Sequence, residues 1–382
     1  MHKVLIFIIL LSDSVYAQHY NAEVDSISYS YFHLGKWNDL IHYANNINHE
    51  QIDFKLLRQR VGYAYFAKGD YYASIREYEK AQQFDKKDEI TQLYLYYNGL
   101  NIGNEQFARY YAGKLTKKKK IELKIQDFRF IDAVDAEYSK KLTNNSSRTN
   151  PDFERLGLNT QLGYRLDLYQ TFSNFHQLRD FTINVNQFEY FALLNWTLFS
   201  KTNLSIGYHY VGTKVITQTD NLEYPGGIWY GKLSQKIGRF DFSVDGSHFA
   251  NNMIQTSQQG VQIGYALPVR WSTYLKSSVY FLSDSLENRL VFSQTAGCLV
   301  LKKIWIEGAI TIGNLNNFLD MSGLYFYNSL DPTTFRTGFS AFWYATSHLT
   351  FYGNYTFENK IITETSSIYT QNSITGGIIW KL

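Results

Sequence analysis

Hydrophobic and polar residues follow two different periods along the chain. From about residue 128 onward the period is two, as in the run Leu204–Tyr210, and a β-strand points successive side chains to opposite faces. These runs extend over roughly ten residues, the length that a tilted strand needs to cross a bilayer. Strands of soluble sandwiches are about half as long. This part of the chain is therefore predicted to form an antiparallel transmembrane β-barrel.

The same pattern predicts fourteen strands, with twelve as the alternative; the division between the second and third strands is open, because residues 156–172 could form one long strand. The predicted strands lie near 128–140, 154–163, 165–175, 187–199, 203–213, 226–236, 239–249, 257–267, 271–282, 289–301, 304–314, 335–345, 348–358 and 367–382. Very short connections should alternate with longer polar ones at 213–226, 250–257, 283–288, 314–334 and 358–367. Short turns on one side and long loops on the other are typical of outer-membrane barrels.

Residues from about 20 to 125 instead show a helical pattern that repeats. Gly35, Gly69 and Gly103 are separated by 34 residues each, and neighbouring positions keep the same register. The residues around them that are expected to pack the helices are Trp37, Gly62, Tyr65, Tyr71, Ala81 and Ala108. A period of 34 residues is typical of the tetratricopeptide repeat, a helix–turn–helix unit. The region resembles an array of about three such units.

This resemblance includes three departures from the repeat pattern. Arg58 stands where Trp or Leu is usual, Lys86 stands where Pro usually closes the unit, and Glu105 replaces an aromatic residue. Outer repeats are often atypical because they cap the array. The resemblance implies a concave surface that binds a protein partner, with a purely structural spacer as the alternative.

Both ends of the chain carry patterns typical of exported proteins. A basic start, an apolar run at Val4–Leu11 and small residues at Val15–Ala17 predict a secretory signal peptide over residues 1–17. Helical repeats over 18–125 and a barrel over 126–382 would follow. The last strand resembles the C-terminal signal that the barrel-assembly machinery reads in outer-membrane proteins. The residues that carry this resemblance are Thr375, Gly377, Trp380 and Leu382.

Composition narrows the classes of function. Aromatic residues make up 17% of the chain and charged residues 19%, below the ~25% of an average globular chain. The single cysteine, Cys298, permits neither an internal disulfide nor a thiolate metal site. The nine histidines show no metal-binding spacing, so no metal or cofactor is expected. The net charge of +3 gives no reason to expect nucleic acid as a partner. Outside the signal peptide, no apolar run reaches the length of a spanning helix.

Catalysis, if there is any, is expected on the inward face of the barrel. His209 shares the polar face of its strand with Ser205, a pair that serves acyl transfer in other proteins. The other polar residues predicted to point inward are Asp241, Asp245, Lys276 and Glu307. No nucleophile elbow accompanies the pair. Polar residues are also expected in any barrel lumen, where water solvates them and they form ion pairs, so their presence does not indicate catalysis. We therefore predict no enzyme activity and no catalytic residue.

Aromatic residues near the strand ends are predicted to form girdles at the depth of the lipid head groups. They are Trp229, Tyr230, Trp271, Trp305, Trp343, Tyr344 and Trp380. The alternative is that these side chains pack a β core.

The order of signal peptide, repeats and C-terminal barrel resembles the tetratricopeptide-containing outer-membrane barrel proteins. The barrel half is most similar to the YaiO-type family, whose members end on an aromatic–Lys–apolar strand like Trp380–Leu382. The resemblance implies a Gram-negative outer-membrane protein with periplasmic repeats that recruit a protein partner, serving export or surface assembly of a polysaccharide or surface protein. The alternatives are a non-conducting anchor for the repeats and a barrel-embedded lipid-modifying enzyme. Membrane lipids and the barrel-assembly machinery are the other expected partners.

Overall fold

A computed structural model describes residues 22–47, 52–269, 271–285, 287–329, 331–363 and 365–382. The predicted signal peptide lies outside these ranges. The chain divides into two compact units, with the division after Gln126. Within the described ranges, no helix is both long and apolar enough to cross a bilayer.

Seven helices make up the described part of the first unit. They are α1 (22–33), α2 (Trp37–Ile47), α3 (Lys55–Ala67), α4 (Tyr71–Phe84), α5 (Glu89–Asn101), α6 (Glu105–Ala112) and α7 (Lys117–Glu122). The first six form three helix–turn–helix pairs, and the turn of each pair contains a glycine with a positive φ. This angle is +67° at Gly35, +79° at Gly69 and +69° at Gly103. Other residues rarely adopt this conformation, so glycine allows each tight turn.

Small residues let the two helices of a pair approach closely. A Cβ on Gly62 would lie 2.9 Å from the ring of Tyr78, which is buried between α3 and α4. Of the other candidate packing residues, Ala81 and Ala108 are buried, and Trp37, Tyr65 and Tyr71 are half-buried.

Arg58, one of the departures from the repeat pattern, is buried in the second pair. Its Nε donates to Asp53 at 2.6 Å and its NH1 donates to Glu77 at 2.9 Å. Burial alone would lower the pKa of Arg58, but hydrogen bonds to the two carboxylates outweigh it and raise this pKa. The arginine therefore joins α3 to α4 where the repeat pattern has an apolar contact.

The second unit is a closed antiparallel barrel of fourteen strands, as the alternation predicts. They are β1 (Arg129–Thr143), β2 (Asp152–Gln161), β3 (Leu166–Arg179), β4 (Ile183–Phe199), β5 (Thr202–Ile216), β6 (Asn221–Ile237), β7 (Phe240–Asn251), β8 (Gln255–Ala266), β9 (Tyr274–Asp284), β10 (Asn288–Leu301), β11 (Ile304–Ile312), β14 (Thr333–Tyr344), β15 (Leu349–Ile361) and β16 (Ile368–Lys381). The barrel closes by pairing of β1 with β16. The twelve-strand alternative is wrong, because β2 ends at Gln161 and a turn precedes β3. Two further short strands, β12 (Phe318–Asp320) and β13 (Tyr325–Tyr327), form a separate hairpin.

The predicted long loops lie at the observed connections, but most of them are shorter than predicted, because the strands continue through their polar residues. At the end where β1 begins, which we call the short-turn end, the connections are 162–165, 200–201, 238–239, 267–273, 302–303 and 345–348. At the opposite end, which we call the hairpin end, they are 144–151, 180–182, 217–220, 252–254, 285–287, 313–332 and 362–367. The predicted loop at 213–226, for example, is reduced to 217–220. The connection 313–332 is long, as predicted, and it contains β12 and β13.

Side chains of the strands alternate between the outer and the inner face of the barrel. Every strand of the barrel exposes at least one large apolar side chain outward: Tyr138, Leu156, Phe172, Phe188, Ile206, Leu233, Val244, Val261, Val279, Phe292, Ile310, Phe339, Phe351 and Ile374. Inward positions are mostly polar or charged, such as Glu137, Arg155 and Glu358. An apolar exterior and a polar interior are what a bilayer requires of a barrel.

Candidate functional site

The long connection 313–332 folds into the lumen of the barrel. Its two short strands are joined by a 3₁₀ turn at Met321–Gly323. Leu315 and Phe318 are 1% exposed and Leu319 is 4% exposed, although they belong to a connecting segment. We call residues 313–332 the lumenal hairpin. Because its side chains are buried among inward-facing residues of the wall, it occludes part of the lumen.

Apolar contacts fix the lumenal hairpin to one side of the wall. Leu319 and Phe326 pack in a cluster with inward residues of β4 to β7: Phe191, Leu193, Val211, Ile228, Tyr230 and Phe249. Leu315 and Phe318 pack in a second cluster with inward residues of β9 and β10: Tyr280, Leu282 and Val291. Full burial of a Leu or Phe side chain contributes about 1.5–3 kcal/mol. These clusters hold the lumenal hairpin against the wall without any charged group.

His209 contacts the tip of the lumenal hairpin. Its Nδ1 lies 2.9 Å from the carbonyl oxygen of Gly323, and its Nε2 lies 2.9 Å from Oε2 of Glu189. A carbonyl oxygen only accepts, so Nδ1 carries a proton in this arrangement. His209, on β5, therefore links the tip of the lumenal hairpin to Glu189 on β4.

A carboxylate on β1 holds the lumenal hairpin from the opposite side of the lumen. Glu137 accepts from Tyr325 at 2.9 Å and from Tyr352 at 2.5 Å. Arg155 pairs with Glu137 at 3.1 Å, and its guanidinium lies over the ring of Tyr325 at 5.4 Å. Charge-assisted hydrogen bonds are stronger than neutral ones. Glu137 is therefore a polar attachment point for β13.

Ion pairs attach the base of the lumenal hairpin to the wall. Arg148 donates to Asp331 through Nε at 2.8 Å and through NH2 at 3.3 Å, and both side chains are only 4% exposed. Tyr369 also donates to Asp331, at 3.0 Å. A second ion pair lies next to the tip, where Arg336 of β14 donates to Asp320 at 2.9 Å. The lumenal hairpin is thus fixed at its base, along its strands and at its tip.

The structure places the residues predicted to line the lumen on the inward face but does not assemble a catalytic group. Ser205 donates to Asn195 at 2.6 Å, while His209 bonds to Glu189 and Gly323, so the two do not form an acyl-transfer pair. The other inward residues bond locally: Asp241 with Lys236 at 3.9 Å, Asp245 with Gln262 at 2.7 Å, and Glu307 with Tyr274. Lys276 is inward and exposed. In the described part of the chain, no group of three or more His, Cys, Asp or Glu side chains is placed to hold a metal ion.

The residues of the predicted assembly signal lie on β16 and just beyond it. Thr375 donates to Ser139 of β1 at 2.8 Å, and the backbone N–H of Leu382 donates to the carbonyl of Asp132 at 2.9 Å. Trp380 points outward, whereas Gly377 points inward beneath the ring of Tyr352.

The predicted girdle of aromatic residues is correct for some members and wrong for others. Trp271, Trp343 and Trp380 are exposed at or near strand ends, as predicted. Trp229 is exposed but lies at the middle of β6, and Tyr344 is exposed but falls on the opposite face of β14 from Trp343. Trp305 instead points inward and stacks on Tyr274, and Tyr230 is buried under the lumenal hairpin. In each strand the residue alternates with the outward apolar residues, so it lies on the inward face. This alternation could have identified both as inward residues from the sequence.

The alternation within strands did not predict the lumenal hairpin. The available signal was a loss of alternation: residues 188–194 of β4 are apolar on both faces, except for Glu189. Apolar residues on the inner face of a barrel need an apolar partner in the lumen. The connection 313–332 contains such partners in Leu315, Phe318 and Phe326.

A closed fourteen-strand antiparallel barrel with an apolar exterior and a polar interior defines a class of protein, the transmembrane β-barrels of bacterial outer membranes. The chain is an outer-membrane protein of this class.

No family model matches the chain, and no curated protein matches its sequence. Solved structures are similar at low identity. The toluene transporter TodX of Pseudomonas putida has a TM-score of 0.45 and 6% identity, over 66% of this chain and 89% of that one. The CymD monoaromatic hydrocarbon channel has a TM-score of 0.44 and 7% identity, over 67% and 89%. The translocator domain of the autotransporter NalP from Neisseria meningitidis has a TM-score of 0.36 and 13% identity, over 69% and 93%.

Proposed function

We propose that the protein is an outer-membrane conduit for export or surface assembly, closed at rest by the lumenal hairpin. Its helical unit recruits a protein partner from the periplasm, and the cargo is a polysaccharide or a surface protein. The observation that carries this proposal is the lumenal hairpin itself, a segment of the chain that occludes part of the lumen and is held there by ion pairs, hydrogen bonds and two apolar clusters. At fourteen strands the interior is wider than wall side chains alone fill, so the position of the lumenal hairpin decides how far the lumen is open.

The proposed orientation rests on the position of the barrel termini. β1 begins and β16 ends at the short-turn end, where Leu382 bonds to Asp132. The helical unit is therefore joined to the barrel at this end. Short turns face the periplasm in outer-membrane barrels. We accordingly propose that the helical unit is periplasmic.

The proposed recruiting surface lies on the helical unit, which we interpret as three tetratricopeptide-like pairs. Leu56 on α3 and Ile90 on α5 are separated by 34 residues, and their side chains are 47% and 55% exposed. Equivalent exposed apolar positions on successive pairs favour a surface that an apolar partner segment covers.

Photo-crosslinking tests this recruiting surface. A photoreactive amino acid at Leu56 or Ile90 should give an adduct of defined mass in cells. The same amino acid at Ile121 on α7, which is also exposed, is the control. Absence of any adduct from Leu56 and Ile90 would contradict recruitment through this face.

A second candidate function is a non-conducting anchor that presents the helical unit at the membrane. The observation that favours it is the apolar packing of the lumenal hairpin, because such packing resists opening. The conduit and the anchor differ in what happens when this packing is removed.

Conductance in planar bilayers decides between them. In one variant, residues 318–327 are replaced by a short Gly-Ser linker; in the control, residues 362–367 at the same end are replaced likewise. The conduit predicts low conductance for the wild type and the control, and a large steady conductance for the first variant. If the first variant folds, as shown by heat-modifiable gel migration, and still does not conduct, the anchor is the better description.

A further inference from the structure

Four aromatic side chains form a row on the inner wall of the barrel. They are Tyr274 on β9, Trp305 on β11, Phe342 on β14 and Tyr352 on β15, and each of them is half-buried. The ring centroids of Tyr274 and Trp305 are 5.7 Å apart, and those of Phe342 and Tyr352 are 5.6 Å apart. Trp305 and Phe342 are direct partners on neighbouring strands. Because all four side chains point inward, the open part of each ring faces the lumen. We call these four residues the aromatic track.

A glycine allows the first two rings of the aromatic track to meet. Tyr274 and Trp305 lie on β9 and β11, with β10 between them. A Cβ on Gly297 of β10 would lie 2.6 Å from the ring of Tyr274 and 2.8 Å from the ring of Trp305. The side chain that would separate these rings is therefore missing, and the row continues across the intervening strand.

A row of hydrogen-bonding side chains runs beside the aromatic track, on the side of the hairpin end. Its members are direct partners across β11, β14, β15 and β16: Glu307, Ser340, Asn354 and Thr375. The first three lie two residues along their strands from Trp305, Phe342 and Tyr352, so they also point inward. Asn354 donates to Ser340 at 2.8 Å. Ring faces and polar groups thus follow the same path along the wall.

The aromatic track leads from the short-turn end towards the lumenal hairpin. Counted from the short-turn end, Tyr274 is the first residue of β9, Trp305 is the second of β11 and Tyr352 is the fourth of β15. The strands of a barrel are tilted, so a row that crosses them climbs around the wall. At its upper end, Tyr352 donates to Glu137, the carboxylate that also accepts from Tyr325 of the lumenal hairpin. A ligand on the aromatic track would therefore extend to an attachment point of the lumenal hairpin.

We propose that the aromatic track binds a linear polysaccharide, so that the cargo of the proposed conduit is a polysaccharide and not a surface protein. This inference rests on the proposed function. A sugar ring has a face of C–H groups and a rim of hydroxyl groups. Its face can stack on an aromatic ring while its hydroxyl groups bond to the polar side chains alongside. Neighbouring strands are about 4.8 Å apart, so the rings on β11, β14 and β15 repeat at short intervals, as the rings of a polysaccharide do.

An extended peptide fits the aromatic track less well. A peptide that lies along a sheet pairs its backbone with an unpaired edge strand. The wall of this barrel is closed, so every strand is already paired on both sides.

Saturation-transfer NMR on the full-length protein in detergent micelles tests the proposal. The aromatic protons of the protein are irradiated in the presence of maltoheptaose, of cellohexaose or of a ten-residue peptide of Ser, Thr and Gly. We expect transfer to the C–H protons of at least one of the two glucans, with a saturable concentration dependence, and none to the peptide.

Two variants with the same chemical change locate the site. Trp305→Leu removes a ring of the aromatic track and should weaken glucan binding roughly three- to ten-fold. The matched control is Trp343→Leu, because Trp343 is the neighbour of Phe342 on β14 but points outward. The control should bind as the wild type does. Heat-modifiable migration verifies that each variant is folded; if Trp305→Leu does not fold, Phe342→Leu replaces it.

Three results would overturn the proposal. The first is a wild type that gives no saturable transfer to either glucan. The second is equal binding by Trp305→Leu and Trp343→Leu, which would place the sugar elsewhere on the protein. The third is transfer to the peptide and not to the glucans, which would favour a protein cargo.

Sugar binding and conduction can fail independently of each other. A glucan that binds to the aromatic track of a barrel that never conducts, even without residues 318–327, would leave the sugar site and exclude the conduit. A barrel that conducts once these residues are replaced, but binds no glucan, would leave the conduit and exclude the sugar site.

Discussion

Single glycines determine how aromatic rings lie on the inner wall of the barrel. A Cβ on Gly377 would overlap the ring of Tyr352, whose hydroxyl reaches Glu137. In the same way, a Cβ on Gly297 would lie 2.6 Å from the ring of Tyr274. Each glycine thus allows a neighbouring ring to lie flat against the wall. The position of Gly377 gives it a packing role in addition to any role in the predicted assembly signal.

A pair of adjacent glycines tests this packing role. Gly377→Ala should destabilise the barrel by about 1–3 kcal/mol, because the added methyl group forces the ring of Tyr352 to move. Gly376→Ala is the matched control, because Gly376 points outward and has no atom within 4 Å of the position of a Cβ. The measurement is the temperature at which the heat-modifiable band shifts on a gel. Equal temperatures for the two variants would show that the ring has room to move.

Asp88 caps α5 and makes the stability of the helical unit depend on pH. It accepts from the N–H of Thr91 at 2.8 Å and from Lys55 at 3.1 Å. Burial alone would raise the pKa of Asp88, but the hydrogen bonds from Thr91 and the charge of Lys55 outweigh it and lower this pKa. Because the carboxyl group has a lower pKa in the folded state, its ionised form stabilises the fold at pH values above the unfolded pKa of about 3.9. This stabilisation is lost as the pH falls through the folded-state pKa.

The corresponding prediction uses Asp88→Asn, which keeps a capping oxygen but removes the charge. At pH 7 the variant should be less stable than the wild type, and the difference should shrink as the pH falls below about 4. Urea unfolding followed by circular dichroism at 222 nm measures it. Asp39→Asn, at an exposed position in the first turn of α2, is the control. A difference that stays constant from pH 7 to pH 3 would exclude the charge as its cause.

At the scale of elements, the lumenal hairpin is attached by ion pairs, by hydrogen bonds to Glu137 and His209, and by apolar packing; its most buried ion pair lies at its base. The pair of Arg148 with Asp331 is buried on both sides, and removal of one partner from such a pair costs about 3–5 kcal/mol. Since this pair lies at the base of the lumenal hairpin, its loss should act on the position of the whole element.

We therefore expect Asp331→Asn to produce brief current openings in planar bilayers that the wild type does not show. The control is Asp220→Asn, which changes the same type of residue in a connection at the same end. If Asp331→Asn stays as silent as the control, the apolar clusters alone are sufficient to hold the lumenal hairpin closed.

The strands could be predicted from the sequence because the bilayer imposes a rule on every residue of the barrel wall. Ile206, His209 and Glu307 point where the alternation predicts, since the lipid accepts only one face. The lumenal hairpin could not be predicted in the same way, because its contacts are tertiary. His209 meets Gly323 across a separation of 114 residues, and no local period records such a contact. The predicted loops were too long for a related reason: strand ends beyond the bilayer no longer need to alternate.

At the scale of the whole molecule, the chain consists of two units with different sources of stability. The helical unit depends on side chains that interdigitate around small residues, such as Gly62 beneath Tyr78. The barrel depends on backbone hydrogen bonds between all neighbouring strands, and the pairing of β1 with β16 closes this ladder. Units stabilised by separate sets of contacts unfold as separate transitions.

Two variants should each move one of these transitions and leave the other unchanged. Gly62→Val places side-chain atoms against the ring of Tyr78 and should lower the midpoint of the helical signal at 222 nm. Gly377→Val should lower only the temperature of the gel shift. A change in both transitions by either variant would demonstrate energetic coupling between the units.

The lumenal hairpin also limits the order in which the molecule can be built. Its apolar side chains meet partners on two stretches of the wall, β4 to β7 and β9 to β10. Those partners lie together on one inner surface only after the strands from β4 to β10 have paired into a curved sheet. The lumenal hairpin can therefore reach its final position only late in folding, after half of the wall exists.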